Sequence, residues 1–204
     1  MAICVWLRCK LKYSQSRIIG HGPCTKKYGQ INHMPLKKWA ELCAGIYTGV
    51  ESVIVLTENG HLFTWGNNGE AQLGLGQDCT SAPVPTRLHL PNDELVIEVA
   101  CGGWHTLALT DSGKVYSWGS NSAGQVSQLL PEKVWTPLNA LNEDGLGRSK
   151  IMAIACGEKS SLVLRSNGQV WAWGKNFLTA LGSTIVKPTM IPLDFEVTKV
   201  HFGS

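Results

Sequence analysis

His105 is the side chain whose type most readily suggests chemistry. An unperturbed histidine titrates between about pH 5 and 8, so it can act as an acid, a base or a metal ligand. Serine occupies the corresponding position in two related segments, at Ser52 and Ser160. This pattern favours a polar residue that starts a strand and hydrogen-bonds within its own structural unit. The acidic pair Glu143-Asp144 could bind a cation, but in a polar, glycine-bearing loop it is predicted to be solvated.

Motifs with known catalytic mechanics are absent from the sequence. The chain has no zinc-protease HExxH, no nucleophile-elbow GxSxG and no P-loop motif. Gly74-Leu75-Gly76 lacks the third glycine and the following helix of a dinucleotide site. Cys101 and Cys156 recur at equivalent positions, which favours small buried strand residues over zinc ligands. The sequence therefore predicts a protein that is not an enzyme, with no catalytic residue, metal, cofactor or small-molecule substrate.

The elements that position these residues come from an internal repeat. The segment CGGWHTLALTDSGKVYSWGSN, residues 101–121, recurs in degraded form as TGVESVIVLTENGHLFTWGNN at 48–68 and CGEKSSLVLRSNGQVWAWGKN at 156–176. The copies are 53 and 55 residues apart, and a period near 50 indicates stacked supersecondary units. Six identical columns form the structural signature of the repeat: Gly49/Gly102/Gly157, Leu56/Leu109/Leu164, Gly60/Gly113/Gly168, Trp65/Trp118/Trp173, Gly66/Gly119/Gly174 and Asn68/Asn121/Asn176.

Each copy has the pattern of a β-hairpin. An apolar run such as Val53 to Leu56 suits a strand that is buried on both faces. A turn ending in the second column of glycines follows, and then a strand alternates, with Tyr116 and Trp118 on one face. A shorter apolar pair precedes each copy, and Val197-x-x-Val200 repeats it once more. Several short strands per unit predict an all-β fold, a partial β-propeller of about three four-stranded blades plus the start of a fourth.

The run ACGGWHTLALTDSGKVYSWGSNSAGQ, residues 100–125, resembles the regulator of chromosome condensation repeat family, and NNGEAQLGLG at 67–76 resembles its usual blade ending. The resemblance covers residues 43–204 and implies an arc of a seven-bladed propeller. Kelch and WD repeats are the alternative propeller families. The sequence of residues 154–174 is similar to that of family members that append a BTB domain, and no BTB domain is expected within these 204 residues.

The expected organisation is a basic extension at 1–40 and repeats at 41–92, 93–148, 149–196 and 197–204. Three complete repeats fall short of the smallest closed ring. The sequence therefore predicts an open arc with two bare apolar blade faces, one before Ile46 and one after Phe202, and hence self-association.

Charge is distributed unevenly along the chain. Residues 1–40 hold eight basic residues and no acidic one, whereas the remainder holds ten basic and fifteen acidic residues. Such an arm could make weak contacts with nucleic acid or chromatin. No apolar run reaches the ~20 residues of a membrane span, and the first residues do not form a signal peptide. We therefore expect no membrane contact and a cytoplasmic and/or nuclear location.

Trp104 and Trp135 lie outside the repeated tryptophan column, so they are candidate aromatic anchors at an interface, together with His105, Glu143 and Asp144. The sequence favours a noncatalytic protein-protein interaction scaffold within a larger regulatory or ubiquitin-ligase-associated protein. The alternative is a guanine nucleotide exchange factor for a Ran-like small GTPase with chromatin association. The resemblance implies both functions, and the sequence shows no inserted wedge of the kind such exchange requires.

Overall fold

The fold is built almost entirely from β-strands. The computed structural model describes residues 43–126, 131–141, 149–175 and 184–200. In these ranges twelve strands form three antiparallel sheets, each of four consecutive strands in chain order. The strands are β1 (Cys43–Gly49), β2 (Ser52–Thr57), β3 (Leu62–Asn67), β4 (Ser81–Leu88), β5 (Val96–Cys101), β6 (His105–Thr110), β7 (Val115–Ser120), β8 (Lys133–Asn139), β9 (Ile151–Cys156), β10 (Ser160–Arg165), β11 (Val170–Gly174) and β12 (Ile185–Met190).

The predicted hairpin forms the centre of every sheet. β2 and β6 are buried at every residue, and β10 at every residue except Leu162, as the apolar runs predict. In the first hairpin the amide of Gly60 donates to the Thr57 carbonyl, and the amide of Thr57 donates to the His61 carbonyl. Gly60 has a φ of 74°, whereas Asn59 keeps a negative φ. The turn is therefore a three-residue loop that ends in a left-handed glycine, and only the glycine needs positive φ.

Gly113 shows that this turn column is set by the backbone and not by packing. Its φ is 84°, and its amide donates to the Thr110 carbonyl at 3.0 Å, as the amide of Gly60 does to Thr57. A Cβ built on Gly113 would meet no atom within 4 Å. Space for a side chain is therefore available, and the left-handed conformation alone favours glycine there.

Glycine occupies the first column for a different physical reason than it occupies the turn column. Gly49, Gly102 and Gly157 have no positive φ, so conformation does not require glycine at these places. A Cβ built on Gly102 would clash with the His105 ring and would lie 2.6 Å from the carbonyl oxygen of Gly157 on the next sheet. A Cβ built on Gly49 would lie 3.2 Å from the carbonyl oxygen of Gly102. The sequence placed all these glycines in one signature, whereas the structure shows that this column allows neighbouring sheets to approach closely.

The glycine after each repeated tryptophan permits a close approach of two backbones within a sheet. Gly119 has a φ of 107°, and a Cβ built on it would clash with the carbonyl oxygen of Trp104. That carbonyl accepts a hydrogen bond from the amide of Ser120 at 2.8 Å. Gly66 and Gly174 make equivalent approaches in the other sheets. A side chain at this column would separate the strands that the hydrogen bond joins.

The three sheets stack face to face as successive blades. Trp118 of the second sheet packs in one apolar cluster with Ile54 of the first, and Leu107 of the second packs in another with Trp173 of the third. This arrangement confirms the predicted all-β partial propeller. We call the sheets blades 1, 2 and 3 in chain order.

Each blade presents two rims. The loop rim carries the turns β1–β2, β5–β6 and β9–β10 and the long connections within each blade between its third and fourth strands. The linker rim carries the turns β2–β3, β6–β7 and β10–β11 and the connections between blades, including the short 3-10 helix Pro91–Asp93. All described residues of one rim lie on the same side of the arc because consecutive strands are antiparallel.

The outward face of blade 1 differs from the prediction. Val53, Val55, Phe63 and Trp65 point away from blade 2, yet they are only 2–8% exposed. Tyr47 of β1 packs against the cluster that contains them. The prediction of a bare apolar face before Ile46 therefore does not hold for these four side chains, which are buried.

The predicted start of a fourth blade is present as a packed segment rather than as a strand. Residues 191–200 contain no strand. Val197 and Val200 nevertheless pack against the apolar cluster of blade 3, and the amide of Val197 faces the Gly168 carbonyl at 3.4 Å. A strand needs a hydrogen-bonded neighbour along its length, and residues 191–200 make one recorded backbone contact of this kind beyond Ile191, that of Val197. The basic extension and Phe202 lie outside the described residues.

Candidate functional site

The joints between blades are built from the repeated tryptophans. The indole Nε1 of Trp118 donates to the Gln72 carbonyl at 3.1 Å, and Nε1 of Trp173 donates to the Gln125 carbonyl at 2.8 Å. Each bond runs from one blade to the long connection of the preceding blade. The tryptophan column therefore stabilises each joint in two ways: the ring packs in the apolar core, and the indole N–H makes a buried hydrogen bond across the joint.

The repeated asparagine holds the accepting connection in shape. Asn68 Oδ1 accepts from the amide of Leu73 at 2.9 Å, and its Nδ2 donates to the Cys79 carbonyl. Asn121 does the same in blade 2, where Oδ1 accepts from the amide of Val126 at 3.0 Å. Asn176, the third member of the column, lies outside the described residues. The two columns work together, because the asparagine fixes the loop whose carbonyl the next tryptophan needs.

His105 belongs to the second of these joints. Its ring is 1% exposed, and Nε2 donates to Ser161 Oγ at 2.9 Å. Ser161 Oγ in turn donates to the Gln125 carbonyl at 2.6 Å, the same carbonyl that accepts from Trp173. The expectation that His105 bonds within its own blade is wrong, because its partner lies on blade 3. Burial lowers the pKa of His105 to about 4, partly offset by a hydrogen bond with the backbone of Ser160, so the ring is neutral at physiological pH.

The described candidate interface residues all lie at or next to the loop rim. Trp104, in the β5–β6 turn, and Trp135, near the start of β8, are half-buried at the loop rim. The carbonyl of Trp135 accepts from the amide of Gly76 across a blade joint at 2.9 Å. His105 is enclosed in a joint, which removes it from any contact surface. Glu143 and Asp144 lie outside the described residues. The role of the two tryptophans as anchors stays a prediction.

Sequence reasoning missed a polar cleft at the linker rim between blades 1 and 2. The cleft encloses about 240 Å³ of space open to solvent. Arg87, at the end of β4, donates from Nη2 to His61 Nδ1 at 3.2 Å. His89 and Asp93 form an exposed pair at 3.0 Å at its edge. The sequence signal for the cleft was a set of charged residues that differ between the repeat copies. Aligning the copies by their identical columns does not detect such residues.

The signature glycines contribute to the frame far more than to this cleft. Gly60 lines it, whereas Gly102, Gly113 and Gly157 are not among its lining residues. The amides of Gly102 and Gly157 instead close the turns that follow β5 and β9, donating to the carbonyls of His105 and Ser160 at 2.8 and 2.9 Å. The repeat signature and the lining of the cleft therefore share only Gly60, and the signature could not have predicted the cleft.

A second ion pair closes the base of the same cleft. Lys114 donates to Glu94 Oε1, and Ser112 Oγ donates to Glu94 Oε2. Burial alone would raise the pKa of Glu94, but the hydrogen bonds from Lys114, Ser112 and Thr110 and the charge of Lys114 lower it to about 2. Glu94 is therefore ionised and neutralised by its neighbours, and it contributes little net field to the cleft.

The described part of the chain holds no group of three or more His, Cys, Asp or Glu side chains that could bind a metal. Over the same residues, no helix is long and apolar enough to cross a membrane.

The apolar surface is also concentrated on one rim. Nine large apolar side chains in the described ranges are exposed, and seven of them lie at the linker rim. These seven lie near the start of the first strand of a blade, near the end of its fourth strand, or in the segment that follows a blade: Leu95, Ile97, Leu138, Met152, Met190, Leu193 and Phe195.

Comparisons with known proteins agree on one family. The model of the regulator of chromosome condensation (RCC1) repeat matches residues 59–109 and 112–164, and a second model of that description matches 96–125 and 152–178. The RCC1 domain-containing protein RUG3, mitochondrial, of Arabidopsis thaliana is 36% identical over 161 residues, covering 75% of this chain and 33% of that protein. The human probable E3 ubiquitin-protein ligase HERC3 is 32% identical over 156 residues, covering 74% and 15%.

A solved structure extends the comparison to three dimensions. The crystal structure of Prp20p from Saccharomyces cerevisiae, a protein described with its binding to Gsp1p and histones, gives a TM-score of 0.62 at 26% identity. The match covers 74% of this chain and 39% of that one. The chain thus spans a third or less of the two relatives and about two fifths of this structure.

Proposed function

Because the chain belongs to the regulator of chromosome condensation (RCC1) repeat family, we propose that it is a noncatalytic scaffold for protein-protein interaction within a larger regulatory or ubiquitin-ligase-associated assembly. HERC3 supports the second part of this proposal, because it is named a probable E3 ubiquitin-protein ligase and is 32% identical to this chain over 156 residues. The repeats of this chain align with only 15% of HERC3, so ligase chemistry is assigned to the assembly and not to this chain.

The observation that carries the proposal is a constant frame with a variable rim. Trp118 and Trp173 make the same hydrogen bond at successive joints. By contrast, three positions that pair with equivalent residues of the neighbouring strand hold Arg87, Asn139 and Met190. The fold constrains the frame but leaves these rim side chains free to differ, which is what a binding surface on a rigid support requires.

The test is a direct binding assay with purified partners. Full-length chain is titrated by calorimetry against a Ran-like GTPase, core histones and a ubiquitin-ligase component. Binding to one of them should weaken in Ile97→Asp, which changes an exposed linker-rim side chain, and persist in the control Lys187→Ala, which changes an exposed lysine of β12. Absence of binding to any protein, or turnover of a substrate by the purified chain, would contradict the scaffold proposal.

The second candidate function is nucleotide exchange on a Ran-like GTPase with chromatin association. It is favoured by the likeness to Prp20p, which is described with binding to Gsp1p and histones. Against it, the connection between β3 and β4 and that between β7 and β8 are of nearly equal length, so neither is longer than the other by the extra hairpin that a wedge would add. We expect this chain alone not to accelerate GDP release from a Ran-like GTPase. Release of a fluorescent GDP analogue that rises above the buffer control would reverse the order of the two proposals.

A cytoplasmic and/or nuclear location is part of the proposal, as is weak chromatin contact through residues 1–40. The relative RUG3 carries the word mitochondrial in its name, so mitochondria are the competing compartment. Imaging of the full chain with a carboxy-terminal tag, beside a variant that lacks residues 1–40, tests both points.

A further inference from the structure

The cleft between blades 1 and 2 has a chemical character of its own. Its walls come from the β2–β3 turn, the end of β4 and the connection that leads to β5. The amide of Val96 donates to the Gly60 carbonyl at 3.0 Å and ties the turn to that connection. Its space of about 240 Å³ includes open solvent, so the cleft is a shallow surface recess rather than an enclosed ligand cavity.

The charges around the cleft leave Arg87 without an acidic partner. Within the described residues no carboxylate lies at ion-pair distance from Arg87, and its recorded acceptor is the His61 ring. Glu94 is neutralised by Lys114, and Asp93 is paired with His89. Burial lowers the pKa of His61, and the positive charge of Arg87 lowers it further. A half-buried guanidinium beside a neutral imidazole is an unusual arrangement, because buried charges are normally paired.

The fold does not require these residues. The positions equivalent to Arg87 hold Asn139 in blade 2 and Met190 in blade 3. The position of His61 within its turn is taken by Lys114 and Gln169 in the other two turns. All three blades form with different side chains at these places, so the pairing of an arginine with a histidine in blade 1 has no general role in building a blade.

Exposed apolar side chains lie directly beside the cleft. Leu95 and Ile97 flank Val96, which lines it, and the side chain of Ile97 is 54% exposed. Leu95 is held in place because its carbonyl accepts from the amide of Asp111 at 3.0 Å and its Cβ lies against Gly60. The surface thus offers a cation in a recess and two exposed apolar side chains on the residues that adjoin its lining residue Val96.

We propose that this cleft binds the carboxylate or phosphate of an acidic peptide segment of a partner protein, with the apolar side chains of that segment packed on Leu95 and Ile97. Arg87 would take the oxyanion through its free guanidinium donors, because its planar fork matches both carboxylate and phosphate geometry. Asp93 and Glu94 also line the cleft, but Asp93 is held by His89 and Glu94 by Lys114, so Arg87 is the group that meets the oxyanion. The proposal rests on the proposed scaffold function and names the chemistry of its partner.

The occupant comes from a partner and not from the basic extension of this chain. Residues 1–40 contain no aspartate or glutamate, so they cannot supply the anion. Charge complementarity therefore points to an acidic segment of another protein.

The test uses the full chain and fluorescein-labelled synthetic peptides read by anisotropy. The probes are a peptide of Glu-Glu-Leu repeats, an analogue in which phosphoserine replaces one glutamate of each repeat, and a Lys-Lys-Leu control. The first two should bind and the third should not, and the ratio of the first two affinities distinguishes carboxylate from phosphate. Arg87→Ala should weaken binding about tenfold or more, because a charge-assisted hydrogen bond is lost, and Arg87→Lys should weaken it less.

Lys187→Ala is the matched control, since it removes one positive charge from an exposed site on β12. Its affinity should stay near that of the wild type. Equal losses in Arg87→Ala and Lys187→Ala would indicate attraction by net charge alone and overturn the proposal, as would no binding of either acidic peptide to the wild type. Ile97→Asp provides a second variant whose fold does not depend on Arg87, and it should also weaken binding.

The peptide test is separable from the scaffold proposal. If a purified partner binds the chain but neither Arg87→Ala nor Ile97→Asp changes its affinity, the scaffold stands and the cleft proposal is wrong. If Arg87→Ala instead dissociates a self-associated wild type and leaves peptide affinity unchanged, the occupant is a second copy and the proposal is equally wrong.

Discussion

Replacing Trp118 with alanine tests the joint between blades 1 and 2. The Trp118 side chain is 0% exposed. Its indole Nε1 donates to the Gln72 carbonyl, and its ring lies so close to Gly74 that a Cβ there would be 2.9 Å from it. The truncation therefore removes apolar contacts, opens a cavity that the surrounding loop encloses, and leaves a buried carbonyl without its donor.

The expected cost follows from these losses. Truncation of a buried tryptophan to alanine costs about 3–5 kcal/mol. For a chain of this size each kcal/mol lowers Tm by roughly 2–4 °C, so the melting temperature should fall by roughly 6–20 °C. Trp118→Phe separates the two contributions. It keeps most of the ring but removes the donor to Gln72, which should cost about 1–3 kcal/mol for the unsatisfied carbonyl.

Urea unfolding followed by circular dichroism measures the free energy of unfolding by linear extrapolation. Phe195→Ala is the control, since Phe195 is 68% exposed and should change stability by less than about 0.5 kcal/mol. A Trp118→Ala variant that unfolds at the same urea concentration as the control would refute the role of the tryptophan column as a joint.

Three further predictions follow from the chain. The lowered pKa of His105, about 4 in the fold against an ordinary 6.5, means that the unfolded state binds more protons between these values. Stability should therefore be complete above pH 6.5 and fall as the pH decreases towards 4; urea titrations at several pH values should show a smaller decline in His105→Gln, and an unchanged decline would contradict the buried neutral ring. Binding of DNA or nucleosomes through residues 1–40 should weaken steeply between low and physiological salt, and tight binding by a chain lacking residues 1–38 would exclude the arm as the contact. The half-buried Leu162 and Ala172 on the outward face of blade 3 should cause self-association, so light scattering that shows a stable 22.2 kDa monomer would contradict association through this face.

The repeat determined most of the fold. Glycine, tryptophan and asparagine columns at a constant spacing predicted three units, and the hairpin pattern placed β2, β6 and β10 correctly. These predictions succeed because they rest on local rules, namely the period of a strand and the positive φ that a turn demands of Gly60. The hydrogen bond from the tryptophan column to the preceding blade could not be read from spacing, since Gln72 and Trp118 are far apart in the chain.

Only the tertiary structure decided what each polar side chain faces. The sequence predicted that His105 bonds within its own blade, yet stacking brings it against Ser161 of the next one. The same stacking explains why Gly102 is a glycine, because the carbonyl of Gly157 on that next blade occupies the place of a side chain. The cleft around Arg87 was invisible for a related reason: its walls belong to a turn, a strand end and a connection that meet only when blades 1 and 2 pack. Local propensities set the strands, whereas the contacts between blades depend on the angle and register at which finished sheets stack, and these are properties of the assembled fold.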